Sequence, residues 1–233
     1  MKSLNLQAVM IDLDGTMVDT IGDFEVALNR ALTDLQVPPA SRALIERSIG
    51  KGSEHLIRTV LGHQLAQAGV PGDAREVEAL FNPVWTRYEH HYLAINGEFS
   101  HVFAGVMEGL AQLKAMGLPL ACLTNKPLSF TRPLMEAKGL TPYFAQVFGG
   151  DSFERKKPDP LPLLKTCKAL QSSPARTLMV GDSSNDAQAA NAAGCPVVLM
   201  TYGYNHGEPI RNTPARAWLD SMAQLVDLLE GGG

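Results

Sequence analysis

The sequence predicts an α/β protein: an open parallel sheet flanked by helices and interrupted early by a purely helical stretch. Three observations lead there. Continuously apolar runs of strand length recur at residues 8–11, 119–123, 177–180 and 196–200, and such runs suit strands buried on both faces. Helical periodicities lie between the later runs, and this alternation argues for a parallel sheet. Residues 23–91, by contrast, hold helical patterns and no convincing strand.

Taken in order, the first run, Ala8-Val9-Met10-Ile11, ends in Asp12-Leu13-Asp14-Gly15-Thr16, where Gly15 lets the chain turn away sharply. Leu28, Ala31, Leu32 and Leu35 then share one helical face, and Leu56, Ile57, Val60 and Leu61 share another. Trp85, Tyr88 and Tyr92 continue the pattern after Pro83, while Pro38-Pro39 and Val70-Pro71-Gly72 punctuate it. The expected division is a core of residues 1–20 and 97–233 with a helical cap domain at 21–96. An insertion just after the first strand sits over the carboxyl ends of the strands, where open α/β sheets bind ligands, so it reads as a cap able to close over a site. Farther on, Val106, Leu110 and Leu113 fall on one helical face, and Leu161, Leu164 and Leu170 on another. The Ala-rich stretch 185–193 follows an Asp/Ser cap signal.

The chain has 233 residues, 45% hydrophobic and 19% charged, enough apolar content for a core in one or two domains. A net charge of −4 without a basic block argues against nucleic-acid binding. Cys122, Cys167 and Cys195 are odd in number and widely spaced, which speaks against a disulfide framework or structural zinc and for a reducing compartment. No apolar stretch reaches the ~18 residues that cross a bilayer, and the start, Met1-Lys2-Ser3-Leu4-Asn5-Leu6-Gln7, has no signal-peptide core. The expectation is a cytoplasmic protein without membrane attachment, ending in a frayed Gly231-Gly232-Gly233 tail.

Four strand ends carry polar groups. Asp12 and Asp14 lie on the same side of an extended chain, so both can address one ligand. A carboxylate attacks phosphorus when a divalent cation neutralises the phosphate. A second, protonated carboxyl can donate to the leaving oxygen and later take a proton from water. Leu123-Thr124-Asn125-Lys126 offers a hydroxyl and backbone N–H groups as a phosphate cradle. In Lys156-Lys157-Pro158-Asp159-Pro160, Pro158 keeps Lys157 extended, and a fixed ammonium stabilises charge on a transferring phosphoryl group. Gly181-Asp182-Ser183-Ser184-Asn185-Asp186 puts Asp182 directly after a strand and Asp186 in the first turn of the next helix. That set suits Mg²⁺, which takes a few carboxylates together with water and substrate oxygen. Each segment alone has an ordinary explanation: an Asp-Gly turn, a cap at Thr124 or Asn125, a solvated lysine pair, a double cap signal. Together, and in this order, they point to metal-assisted chemistry on a small-molecule phosphate ester.

That order resembles the haloacid dehalogenase-like (HAD) hydrolase superfamily, motif by motif: Asp12-x-Asp14-Gly15-Thr16, Thr124, Lys157 and Gly181-Asp182-x-x-x-Asp186, within residues 8–205. The resemblance implies a Rossmann-like core with an α-helical cap, Asp12 as nucleophile forming an aspartyl-phosphate, and Asp14 as general acid and base. It implies Thr124, Asn125 and Lys157 around the phosphate. Mg²⁺ would be held by Asp12, the Asp14 backbone carbonyl and Asp182, with Asp186 as a direct or water-mediated ligand. Hydrolytic dehalogenases of the superfamily lack the second carboxylate and its ion-pumping ATPases carry Thr there, so Asp14 favours a phosphatase or phosphomutase. Within the superfamily the chain is similar to the bacterial phosphoglycolate phosphatases at Asp19-Thr20, at Ile49-Gly50-Lys51-Gly52 and at Thr201-Tyr202-Gly203-Tyr204-Asn205. That likeness implies hydrolysis of 2-phosphoglycolate to glycolate and phosphate. The remote carboxylate of such a substrate suits backbone N–H groups at Gly50 and Gly52 and the Lys51 ammonium, unless Lys51 simply faces solvent.

Two other readings stand beside this one. A sugar phosphomutase of the β-phosphoglucomutase type shares core and cap but hands the phosphoryl group to sugar. A signalling receiver also holds an aspartyl-phosphate, but its acidic pair is adjacent in sequence, whereas Leu13 separates Asp12 from Asp14. His90-His91, His206 and Arg132 are expected outside the chemistry, the last about two helical turns beyond Thr124.

Overall fold

A computed structural model describes residues 5–69 and 74–230. The chain start at 1–4, the Val70-Pro71-Gly72 break and the Gly231-Gly232-Gly233 tail lie outside the described residues. Strand β1 (Ala8–Ile11) is buried throughout. Alternation sends Val9 and Ile11 into the apolar core on one face of the sheet and Ala8 and Met10 into that on the other. A two-residue strand, β2 (Val18–Asp19), follows, and four helices succeed it: α1 (Ile21–Asp34), α2 (Arg42–Ser48), α3 (Ser53–Gln67) and α4 (Ala74–Ile95). The chain returns through β3 (His101–Val102), which pairs antiparallel with β2 and makes a neck between the two parts of the molecule.

The helical part has its own core. Leu28 and Leu32 of α1, Ile57 and Leu61 of α3, and Tyr88 and Tyr92 of α4 are its buried members, joined by Phe130 and Tyr204 from the sheet part. Helix α4 runs through Pro83 rather than ending there. Its aromatic face packs Tyr88 and Tyr92 against Phe130 at ring-centroid distances of 6.1 and 4.8 Å. That burial outweighs the lost backbone bond of one proline.

The remainder alternates: α5 (Val106–Ala115), β4 (Leu120–Leu123), α6 (Leu128–Ala137), β5 (Gln146–Phe148), α7 (Leu161–Ala169), β6 (Thr177–Gly181), α8 (Ser184–Ala193), β7 (Val197–Met200), β8 (Ala217–Leu219) and α9 (Gln224–Glu230). The sheet order is β5-β4-β1-β6-β7-β8 and every pairing in it is parallel. Met10 stands opposite Ala121 on one side and Met179 on the other. The chain therefore winds outward from β1 in both directions, which makes the carboxyl end of β1 the switch point where such sheets bind ligands.

The four apolar runs read from sequence hold the four inner strands. The edge strands β5 and β8 are three residues long and incompletely buried, so they carry no continuous apolar signal. In α7 the expected face is rotated: Leu163 and Cys167 point inward and Leu164 is exposed. A spacing of three or four residues from Leu163 through Cys167 to Leu170 satisfies the helical period as well, and that row meets the sheet. All three cysteines are buried and free. Among the described residues no helix is long and apolar enough to cross a membrane.

Candidate active site

The expected residues converge at the carboxyl ends of β1, β4 and β6. Asp12 leaves β1 with its N–H donating to Val180 O at 2.9 Å, so its backbone is still tied to the neighbouring strand. The chain then folds into a tight loop in which Leu13 O accepts from the N–H groups of Met17 and Val18, both at 3.0 Å. Gly15 sits at φ +83°, and a Cβ there would lie 2.2 Å from Asp182 Oδ2. Only glycine permits both that dihedral and that approach. The loop points Asp14 back over the strand end, where its Oδ1 accepts from Thr20 Oγ1 at 2.8 Å and Lys126 Nζ at 3.0 Å.

Asp182 follows β6 and is fixed at both oxygens. Thr16 Oγ1 donates to Oδ1 at 2.7 Å and the Tyr204 N–H to Oδ2 at 2.6 Å. Asp186 turns back onto the start of α8, where its Oδ2 accepts from Ser183 N–H at 3.1 Å and Ser183 Oγ at 2.7 Å. Its Oδ1 accepts from Lys157 Nζ at 2.7 Å. The same ammonium donates to Leu123 O at 2.8 Å and stands 3.0 Å from Asp12 Oδ1. Asp12 Oδ1 nevertheless accepts no well-formed hydrogen bond, although it is buried.

Three buried carboxylates, Asp12, Asp182 and Asp186, thus offer oxygens within 4.8 Å of one another. One ammonium, Lys157, touches two of them. Burial, with the neighbouring carboxylates adding to it and Lys157 opposing, raises the Asp12 pKa from 3.8 to about 7. Burial and the Asp186 and Asp12 charges hold Asp182 well above the usual carboxylate range. The Lys157 ammonium is pushed down by burial, but Asp12 and Asp186 outweigh this and hold it above its ordinary value. A cluster with excess negative charge, a buried Asp12 oxygen met only loosely by Lys157 and hard oxygen donors fits Mg²⁺.

Above the cluster lies a cavity of about 330 Å³, counting the part open to solvent. Asp12, Asp14, Thr124, Asn125 and Lys126 line it from the sheet, and Phe24, Ile49, Gly50, Gly52, Ser53 and Leu56 from the helices. Thr124 Oγ1 accepts from the Lys126 N–H at 3.2 Å, a local turn at the end of β4. Asn125 is beside the cavity, yet its amide nitrogen is already committed to Gly50 O at 3.0 Å and Lys157 O at 2.8 Å. Asn185 Nδ2 also donates to Gly50 O, at 3.2 Å. Lys51 does not line this cavity. It is exposed and borders a separate surface cleft with His55 and Lys156.

Sequence reasoning missed Thr20, Lys126 and Tyr204. Lys126 was visible only as the tail of the Thr124 segment. Its partner lies 112 positions away, a separation no local pattern reports. Tyr204 was noted for its surroundings, but its hydroxyl is an acceptor for the Thr20 and Ile21 N–H groups at 3.0 and 3.2 Å and also bonds Asp19. His206 reaches the seam beside Gly50, 3.3 Å from Asn185 Nδ2. On the surface, His91 pairs with Asp34 of α1 at 2.8 Å.

Comparisons with known proteins agree with this geometry. The family profile described as haloacid dehalogenase-like hydrolase matches residues 6–194. A phosphoglycolate phosphatase of Thiobacillus denitrificans is 42% identical over 228 residues, covering 97% of each chain. A plasmid-borne phosphoglycolate phosphatase of Cupriavidus necator is 41% identical, covering 97% of this chain and 94% of that one. The crystal structure of a predicted phosphoglycolate phosphatase from Haemophilus somnus superposes with a TM-score of 0.90 at 33% identity, covering 96% of this chain and 98% of that one. With its carboxylates gathered at the switch point of a parallel sheet, the chain belongs to the haloacid dehalogenase-like hydrolases.

Proposed function

We propose that the protein is a Mg²⁺-dependent phosphatase that hydrolyses 2-phosphoglycolate to glycolate and phosphate through an aspartyl-phosphate on Asp12. The observation that carries this reading is the buried Asp12 oxygen whose one near partner is the Lys157 ammonium at 3.0 Å, in the acidic cluster and beside an Asp14 held by two donors. The relatives named for this reaction favour the same substrate.

Asp12 attacks phosphorus, the ester bond breaks, and the Asp14 carboxyl protonates the departing glycolate oxygen. Asp14 then takes a proton from water, which attacks the aspartyl-phosphate and releases phosphate with Asp12 regenerated. Asp12, Asp182 and the Asp14 carbonyl would hold Mg²⁺, with Asp186 shaping the cluster through Lys157 and the start of α8. The cation, when bound, neutralises phosphate oxygens and stabilises charge developing on them. Thr124 and Lys157 flank the phosphoryl group. Residues 21–96 act as the cap that closes over the site and restricts it to the water that Asp14 activates. The apolar walls Phe24, Ile49 and Leu56 give sugar hydroxyls few partners, which favours this reading over a phosphomutase.

Phosphate release from a panel containing 2-phosphoglycolate, glucose 1-phosphate and ethyl phosphate tests the proposal. The expected result is preferred turnover of 2-phosphoglycolate, silenced by EDTA, restored by Mg²⁺ and reduced at least ~10³-fold in Asp12→Asn. Metal-independent hydrolysis, or near wild-type rates in Asp12→Asn, would refute it.

A further inference from the structure

We propose that Lys126 and Ser53 form the subsite for the substrate's remote carboxylate, an assignment that rests on the phosphatase reading above. Lys126 is the one cationic side chain lining the catalytic cavity among the described residues. Its side chain has no solvent exposure. An ammonium carries three donors, yet among the described residues its only hydrogen-bond acceptor is Asp14 Oδ1 at 3.0 Å. Its other near neighbours are ring faces, Phe24 at 4.2 Å and Tyr92 at 4.6 Å from Nζ to centroid. Ring faces stabilise the charge without accepting its hydrogens along lone pairs. A buried ammonium left in that state is costly unless a further anion completes it.

Ser53 supplies the second, independent observation. It is 4% exposed and lines the same cavity, and its Oγ meets the Tyr88 hydroxyl without forming a well-made hydrogen bond. Tyr88 is fully buried, so this loose pair of hydroxyls has room for a better acceptor only on the cavity side. Ser53 opens the 15-residue helix α3, whose N-cap position is Gly52 and carries no side-chain acceptor. The first N–H groups of such a helix lack internal partners and favour negative charge. A loosely held donor hydroxyl, a helix start and an under-satisfied ammonium therefore border one small space.

The position matches the chemistry. Asp14 protonates the ester oxygen, and in 2-phosphoglycolate the carboxylate carbon is two bonds from that oxygen. Lys126 grips the same Asp14 carboxyl, so a carboxylate that close to the leaving oxygen lies within reach of its ammonium. Lys51, the residue expected from sequence, borders another cleft.

The test compares two substrates that differ only in carboxylate against methyl: 2-phosphoglycolate and ethyl phosphate. Wild type, Lys126→Met and Ser53→Ala are assayed with Mg²⁺. Met preserves the apolar length of Lys126 between the aromatic rings. Lys126→Met is expected to lose about 100-fold more kcat/KM on 2-phosphoglycolate than on ethyl phosphate, and Ser53→Ala about 10-fold more, chiefly in KM. Equal losses on both substrates would overturn the subsite and leave Lys126 as a positioning residue for Asp14. A wild type that turns over 2-phosphoglycolate no better than ethyl phosphate would overturn it too. No turnover of 2-phosphoglycolate at all would instead sink the function reading on which it stands. If Lys126→Met fails to give a cooperative melt, the substrate ratio in Ser53→Ala decides.

Discussion

Asp12 carries its negative charge at a cost in stability. Its folded pKa of about 7 exceeds the value of 3.8 expected in the unfolded chain. Between those values the folded state binds a proton that the unfolded state has released, so stability is present at low pH and lost as pH rises through 7. In EDTA at pH 8, Asp12→Asn should therefore be more stable than wild type, on the order of 2 kcal/mol or roughly 5 °C in Tm, with the gap closing near pH 4. Calorimetry at the two pH values checks this, and a gap independent of pH would disprove it. Added Mg²⁺ should recover the difference by binding wild type more tightly. The acidic residues were legible in sequence because each pair sits in a window of a few residues at a strand end. The cage around Lys126 was not, because Asp14, Phe24 and Tyr92 come from β1, α1 and α4 and meet only in the folded chain.

At the scale of elements, the start of α1 shows how a site residue is borrowed from secondary structure. Thr20 occupies the N-cap position but makes no side-chain cap bond, because its hydroxyl donates to Asp14. Tyr204, arriving from beyond β7, accepts the Thr20 and Ile21 N–H groups instead. Tyr204→Phe should cost about 1–2 kcal/mol in denaturant unfolding, typical of a lost cap, and should lower kcat by loosening Thr20 and with it Asp14. A neutral effect on both would show that water substitutes for the phenol. The helix itself was predictable from Leu28, Ala31 and Leu32, but its cap was not, since the acceptor lies 184 positions away. The inner strands were legible because burial on both faces demands apolar residues at every position. At the edges β5 and β8 that demand relaxes, and so does the signal.

Across the whole molecule, the helical layer is attached differently at its two ends. At the neck, Asp23 of α1 accepts from the Gly97 and Phe99 N–H groups at 2.9 and 2.8 Å, and Asn96 donates to Phe130 O at 2.8 Å. Over the cavity, a lighter attachment is the Gly50 carbonyl, held by Asn125 and Asn185. If the helical layer opens as the proposed cap, it should pivot about the neck and part the Gly50 contacts first. Asn185→Ala should thus raise hydrogen exchange at the backbone amides of 49–52 by about tenfold while leaving the neck amides protected. Exchange rising equally at both places would argue against a pivot.

The two amides that grip Gly50 come from different strand ends, Asn125 after β4 and Asn185 after β6. Asn125 adjoins Thr124, and Asn185 adjoins Asp186 in the acidic turn. One carbonyl therefore ties the helical layer to two strand ends at once. A change in either turn should loosen the same contact, so the seating of the roof reports on both turns beneath it.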